Sequence, residues 1–211
     1  MQIELFRPSL QYPIHPYGEM LTRTAQRYPE EEALIFKDAN ITYRELDALV
    51  NAFANALLDL GIRKGQTVCL FMTNRPEYVI SWFAATRIGA PVSPINPSYK
   101  EREVAYQLNN SDAVAVVVSQ ELLPLVEAVR SEAPGLEYVI TVGSALAPTH
   151  THSFSQLVRT HAAASSTDLA GLEPGWEDVV ALPISRWRRR VSLRRIVCWS
   201  SCRSTTSMAS C

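Results

Sequence analysis

The last 26 residues of this 211-residue chain contain no aspartate, no glutamate and no glycine, whereas residues 1–185 contain all 21 acidic residues. Other scarcities bound the longer part. It has one cysteine, Cys69, in the apolar run Val68-Cys69-Leu70-Phe71-Met72, which excludes a disulfide framework and reads as a buried, reduced thiol. No stretch reaches the roughly 18 consecutive apolar residues of a membrane span. The first residues, with Glu4, Arg7 and several prolines by Pro16, lack the unbroken apolar core of a signal peptide. The expected location is cytoplasmic. A basic excess is missing too: 13 basic against 21 acidic residues give residues 1–185 a net charge of −8, which leaves no electrostatic case for a nucleic-acid partner.

What is present divides at Ser185/Arg186. The segment from Arg186 holds seven Arg, three of the four Cys and two of the four Trp, so the chain divides into residues 1–185 and an unrelated Arg/Ser/Cys-rich tail, 186–211, expected to be disordered. Nearly half of the whole chain is hydrophobic, enough to bury a substantial core.

Along residues 1–185, helical and strand patterns alternate. Tyr17 to Arg27, with Met20, Leu21 and Ala25 apolar, suggests a first helix; Ala33 to Phe36, Lys37 to Asn40 and Ile41 suggest a strand, a turn and a return strand. Thr42 opens the best-specified helix, because its hydroxyl can cap the first turn while Glu45, three residues on, reaches back. Leu46, Leu49, Val50, Phe53, Leu57 and Leu58 form its apolar stripe and Gly61 its stop. Thr67 to Met72 reads as a buried strand, and Pro76 opens a second helix through Tyr78, Ile80, Trp82, Phe83 and Ile88, ended by Gly89. Val92 to Ile95 reads as a strand, Ser98 as the cap of a helix from Lys100 to Asn109, Ala113 to Val118 as a strand, Glu121 to Glu132 as a helix and Tyr138 to Val142 as a strand. A loop to about Thr149, a helix from Ser153 to Thr160 and a strand from Val179 to Ile184 complete the series. Strands separated by helix-length segments predict an α/β fold, a mostly parallel, doubly wound sheet with helices on both faces.

Features that could carry chemistry mostly have simpler structural readings. His150, His152 and His161 fall in a polar region that no carboxylate or cysteine joins, so they read as a solvated loop. Glu30-Glu31-Glu32 reads as a solvated turn, Asn96-Pro97 as a turn at a strand end, and Tyr78, Trp82 and Phe83 as helical packing against the sheet. Cys198 and Cys202 form one pair without a second pair or a nearby histidine, too little for zinc. Arg186 to Arg195, with Trp187 and Trp199, has the composition of a basic recognition patch but matches no basic recognition motif.

Ile41-Thr42-Tyr43-Arg44-Glu45-Leu46, followed by Ala85-Thr86-Arg87-Ile88-Gly89-Ala90-Pro91-Val92-Ser93-Pro94-Ile95-Asn96-Pro97, resembles the first two blocks of the adenylate-forming (AMP-binding) superfamily of acyl-CoA synthetases, luciferases and peptide-synthetase adenylation domains. Gly61 and Gly65 around a basic turn and Asn74-Arg75-Pro76-Glu77 at a helix start agree in order and separation. The resemblance runs from about Tyr17 to Ile184, and its style is nearest to fatty-acyl-CoA and 4-coumarate-type ligases. It implies an incomplete, N-terminal part of the adenylate-forming fold. It also implies a two-step reaction in which a carboxylic acid, most simply a fatty acid, attacks the α-phosphate of ATP, and the thiol of coenzyme A then displaces AMP. That chemistry needs Mg²⁺ and a Gly/Ser/Thr loop with a lysine to hold the leaving phosphates.

In the family that loop follows a strand matching Val179 to Ile184. Here Ser185 is followed by Arg186-Trp187-Arg188-Arg189-Arg190-Val191-Ser192, so no residue of the chain is assigned a catalytic, cofactor-binding or metal role and the chain is expected to be inactive. The genetic code supplies a reason. From the last base of the Trp187 codon, synonymous codons for Arg188 to Arg194 permit the shifted reading Ala-Thr-Thr-Gly-Val-Pro-Lys-Ala, close to the missing loop. The tail therefore reads as a frame change. The alternative is a non-catalytic domain acting through protein–protein contact, for instance by pairing with a full-length homologue; a sheet ending at Ile184 also leaves strand positions open to self-association.

Overall fold

The computed structural model describes residues 19–37, 39–143, 149–163 and 169. The chain enters through α1 (Glu19–Arg27), whose Leu21 and Ala25 are buried. Met20, one of the apolar residues that suggested the helix, is 55% exposed; at helical spacing it points about 100° away from Leu21, so only one of two adjacent apolar residues can face the core. Strands β1 (Glu32–Phe36) and β2 (Ala39–Thr42) form an antiparallel hairpin.

The hairpin delivers the chain into α2 (Tyr43–Asp59) through the expected capping box. The Glu45 amide donates to Thr42 Oγ1 at 3.3 Å, and the Thr42 amide donates to Glu45 Oε2 at 2.8 Å. At the other end, Gly61 adopts φ +100°. Its N–H donates to the Leu58 carbonyl and that of Ile62 to the Leu57 carbonyl, both at 3.0 Å, a Schellman closure that needs a left-handed residue at this position. The buried face of α2 carries Leu46, Val50, Phe53 and Leu57, with Leu49 and Leu58 half-buried beside it.

The main sheet is parallel, with β4 (Val92–Pro94), β3 (Thr67–Phe71), β5 (Ala113–Ser119), β6 (Tyr138–Val142) and β7 (His152–Ser153) side by side in that order. Its two faces separate by side-chain parity. Val68, Leu70, Ala115, Val117, Ile140 and Val142 meet α2, α3 (Pro76–Arg87) and α6 (Phe154–Thr160). Cys69, Phe71, Val116, Val118 and Val139 meet α4 (Glu101–Asn110) and α5 (Leu123–Val129). With side chains buried on both faces, the strands are apolar throughout rather than alternating. The α/β, mostly parallel, doubly wound expectation describes this architecture.

The path between strands explains which helix lies where. The chain steps from β3 outward to β4 through α3, then reverses past β3 to β5 through α4 and on to β6 through α5. Parallel crossovers are almost always right-handed, so reversing the direction of travel moves the connecting helix to the opposite face. That reversal makes the sheet doubly wound.

Four local expectations need correction. Ser98 does not cap α4: Lys100 occupies the cap position, its amide donating to Glu103 Oε2 at 2.8 Å, while the Ser98 amide donates to Asn96 Oδ1 at 2.9 Å. An Asx turn outcompetes the serine cap because Asn96 follows a strand and can bond two residues ahead. The helix expected over Glu121 to Glu132 is shorter, α5 closing in a 3-10 turn over Arg130–Glu132. Strand β7 was not foreseen; at two residues it carries no readable alternation. Helix α6 starts at Phe154, one residue after the expected Ser153. The expected strand Val179 to Ile184 and the segment 186–211 lie outside the described residues.

Candidate functional site at the strand ends

Ligands of open α/β sheets bind beyond the carboxyl ends of strands, at the crevice between two strands whose following connections run to opposite faces. In this sheet the direction of travel divides at β3 and β5: β3 leads outward to β4 through α3 on one face, and β5 leads the opposite way to β6 through α5 on the other. The crevice is therefore bordered by Met72, Thr73, Asn74 and Arg75 after β3, by Ser119, Gln120 and Glu121 at the end of β5, and by Gly143 after β6.

Arg75 spans this edge. It is the residue before Pro76 and takes an extended conformation, φ −162° and ψ 161°, as a residue preceding proline should. Its Nε lies 3.4 Å from Glu77 Oε2 and its NH1 3.9 Å from Glu121 Oε1. A Cβ at Gly143, where φ is +95°, would sit 4.0 Å from both terminal guanidinium nitrogens. A side chain there would make only ordinary van der Waals contact with the guanidinium, so it is the left-handed turn that calls for glycine at 143. Arg75 NH1 and Ser119 Oγ are both buried without a hydrogen-bond partner. Two carboxylates at ion-pair range flank the Arg75 guanidinium.

The described residues do not fit a nucleotide triphosphate by themselves. Arg75 is the cation at this edge and is already flanked by Glu77 and Glu121, and the described residues contain no cluster of three His, Cys, Asp or Glu side chains that could hold a metal ion. No helix among them is long and apolar enough to cross a membrane.

The histidines are not one solvated loop. His150 is exposed with φ +70°, His152 lies in β7 with its ring 6.2 Å from that of Tyr138, and His161 ends α6 with Nε2 2.7 Å from Asp59 Oδ2. The expectation that no carboxylate joins them fails because Asp59 is 102 residues away in sequence and arrives through packing of α2 on α6. Glu30, Glu31 and Glu32 are exposed, with Glu30 paired to Arg44. Asn96 serves the turn already described. Tyr78 and Trp82 stack at 6.3 Å and, with Phe83, are half-buried against the core; the fully buried face of α3 is the smaller Ile80, Ser81, Ala84 and Ala85. Burial raises the Tyr78 phenol above its ordinary value. Cys69 is fully buried, its thiol 3.4 Å from Ser111 Oγ, and desolvation pushes its pKa to about 11. Arg186 to Arg195, Cys198 and Cys202 lie outside the described residues.

The sequence reading missed a buried polar network centred on Arg87, which is 3% exposed. One terminal nitrogen donates to Asp47 Oδ1 at 2.9 Å and to Thr22 Oγ1 at 2.8 Å, and the other donates to Asn51 Oδ1. Thr22 also donates to Asp47 at 2.8 Å. The network ties α1, α2 and α3 together. A signal existed: Arg87 shares the stripe of Ile80 and Ala84, and a charge on a buried stripe demands a partner.

The arrangement has counterparts among known proteins. Residues 21–172 match the family model described as AMP-binding enzyme. The crotonobetaine/carnitine–CoA ligase of Escherichia coli is 34% identical over 146 residues, covering 66% of this chain and 28% of that protein. The solved structure of the anthranilate CoA ligase AuaEII with anthranoyl-AMP superposes with a TM-score of 0.67 at 30% identity, over 70% of this chain and 28% of that one. A Mycobacterium tuberculosis fatty acyl CoA synthetase gives a TM-score of 0.68 at 27% identity, over 79% of this chain and 32% of that one. The chain thus spans about a third or less of the length of these proteins.

Proposed function

Because this chain belongs to the AMP-binding, adenylate-forming enzyme family, we propose that it is the sheet-bearing scaffold of an ATP-dependent acid–thiol ligase and that residues 1–211 as written do not perform the ligation. In the full reaction a carboxylate oxygen attacks the α-phosphorus of ATP, pyrophosphate leaves, and the sulfur of coenzyme A attacks the acyl carbon and expels AMP. Fatty acids are the proposed substrate class, supported by the fatty acyl CoA synthetase fold neighbour.

The observation that carries the inactivity is the run after Ile184. Adenylation needs backbone N–H groups and a lysine around the leaving phosphates, and Ser185 is followed by Arg-Trp-Arg-Arg-Arg without a glycine. Nor does the Arg75 edge supply a substitute, since its one guanidinium is flanked by two carboxylates. We place the boundary at Ser185/Arg186 and read residues 186–211 as a shifted frame. The coding DNA across codons 184 to 200 tests this: the shifted frame should read through the Thr-Thr-Gly-Val-Pro-Lys loop, and an intact frame without that loop in either shift overturns it. A thermal shift on adding Mg-ATP tests the scaffold reading. The chain should not be stabilised, whereas a saturable shift would show a nucleotide site that this reading denies.

A further inference from the structure

Helix α6 ends at Thr160, and His161, its C-terminal cap residue, meets the last residue of α2, Asp59. One ring nitrogen, Nε2, lies 2.7 Å from Asp59 Oδ2, and the other, Nδ1, lies 2.8 Å from the Leu157 carbonyl oxygen. An ionised carboxylate and a carbonyl oxygen only accept hydrogen bonds. A neutral imidazole has a single N–H, so in either tautomer one bare nitrogen would face an oxygen; two hydrogen bonds require the imidazolium. We propose that protonated His161 is a latch that fastens the edge segment β7–α6, His152 to Thr160, to the end of α2, and that its deprotonation loosens this segment from the sheet.

Several features favour the charged form. The histidine caps a helix C-terminus, where unpaired carbonyls carry partial negative charge. Its pKa is raised above the ordinary value, chiefly by the hydrogen bond to Asp59 and next by that to Leu157, with burial opposing. From α2 the facing charge is Asp59. Among its neighbours, Arg159 on its own helix is exposed, Arg63 after α2 is engaged by the Leu58 and Ile62 carbonyls, and β6 contributes Tyr138 but no charged residue. A folded-state pKa above the unfolded one stabilises fully below the ordinary histidine value of about 6.5 and loses that contribution as pH rises through the raised value.

The segment is one that a modest change can move. Strand β7 has two residues and α6 has seven; besides the latch they are held by the short pairing of β7 with β6, the Thr141 hydroxyl donating to the His152 carbonyl at 3.2 Å, the Tyr138–His152 ring contact, Phe154 against Phe53 with centroids 4.5 Å apart, and the packing of Leu157 and Val158. Loosening would uncover Phe154, Val158 and the far edge of β6, so the latch makes exposure of a sheet edge depend on pH.

Hydrogen exchange of the 211-residue chain, read by mass spectrometry between pH 6 and pH 9 and corrected for intrinsic rates, tests this. Exchange of the imidazole C2 hydrogen should give His161 a midpoint above about 6.5. Protection of the Leu157 to His161 amides should fall about two- to five-fold across that midpoint, the size of an exposed ion pair, while β5 keeps its protection. Asp59→Asn should lower the midpoint, and both Asp59→Asn and His161→Gln should remove the pH dependence of α6. A His161 midpoint at or below 6.5, an α6 segment unprotected already at pH 6, or α6 protection that tracks β5 throughout would each overturn the latch. The wild-type titration decides even if either variant fails to fold.

Discussion

Arg87→Ala should cost this fold more than any other single polar substitution on α3. The guanidinium is 3% exposed and holds Thr22, Asp47 and Asn51. Its removal leaves the Asp47 carboxylate, 16% exposed, with only Thr22 and the longer 3.3 Å contact from Asn51. Breaking a buried ion pair costs about 3–5 kcal/mol. The two surviving donors and the partial exposure of Asp47 place this case near the bottom of that range, at about 3 kcal/mol, or roughly a hundred-fold in the folding equilibrium. The loss should fall first on α1, because Thr22 is the polar link from α1 to the other two helices. Urea unfolding gives the total, and amide exchange gives its distribution: α1 amides should lose protection before those of β5. Replacing Arg87 and Asp47 together by leucine should cost much less than the two single changes summed, since no charge is then stranded. An Arg87→Ala change of under about 1 kcal/mol, or unchanged α1 protection, would refute the reasoning.

Thr42→Ala removes the α2 cap and should lower the urea midpoint by the equivalent of about 1 kcal/mol with an unchanged slope. The Thr42 amide and hydroxyl hold the Glu45 carboxyl below the usual range, so the cap is intact above the ordinary glutamate pKa and weakens as pH falls through the lowered value; in Thr42→Ala that lower limit should move up. Cys69, buried with its pKa pushed up to about 11, should resist iodoacetamide at pH 8, where about a thousandth of it is thiolate. Mass spectrometry of the Cys69 peptide should show alkylation only in urea, and rapid native labelling would contradict the burial. Light scattering on a sizing column should show species larger than the 23.5 kDa chain that grow with concentration, through pairing at the β4 or β7 edges; a monomer at every concentration would count against it.

The fold was legible wherever local chemistry and packing agree. The Thr42 to Gly61 helix carried its own cap, stripe and stop, and the apolar strands Thr67 to Phe71 and Ala113 to Ser119 could sit only inside a two-sided sheet. Legibility failed where a tertiary partner decides. Asp59 and His161 meet across 102 positions, and Arg87 is intelligible only once Asp47 and Thr22 are beside it. Ser98 lost its capping role to a turn two residues long, a competition that neither residue announces alone. At the crevice, Arg75 was visible as part of a helix opening, but its reach to Gly143 and Glu121 depends on β5 lying beside β3 and β6 beside β5.

The central claim is that this scaffold belongs to an adenylate-forming ligase while the residues after Ile184 deny it the phosphate loop. Acid-dependent ATP–pyrophosphate exchange by the purified 211-residue chain, measured with Mg²⁺ and a panel of fatty and aryl acids, tests it most directly. The account predicts no exchange above the protein-free control with any acid; exchange that depends on an acid and saturates with ATP would contradict it.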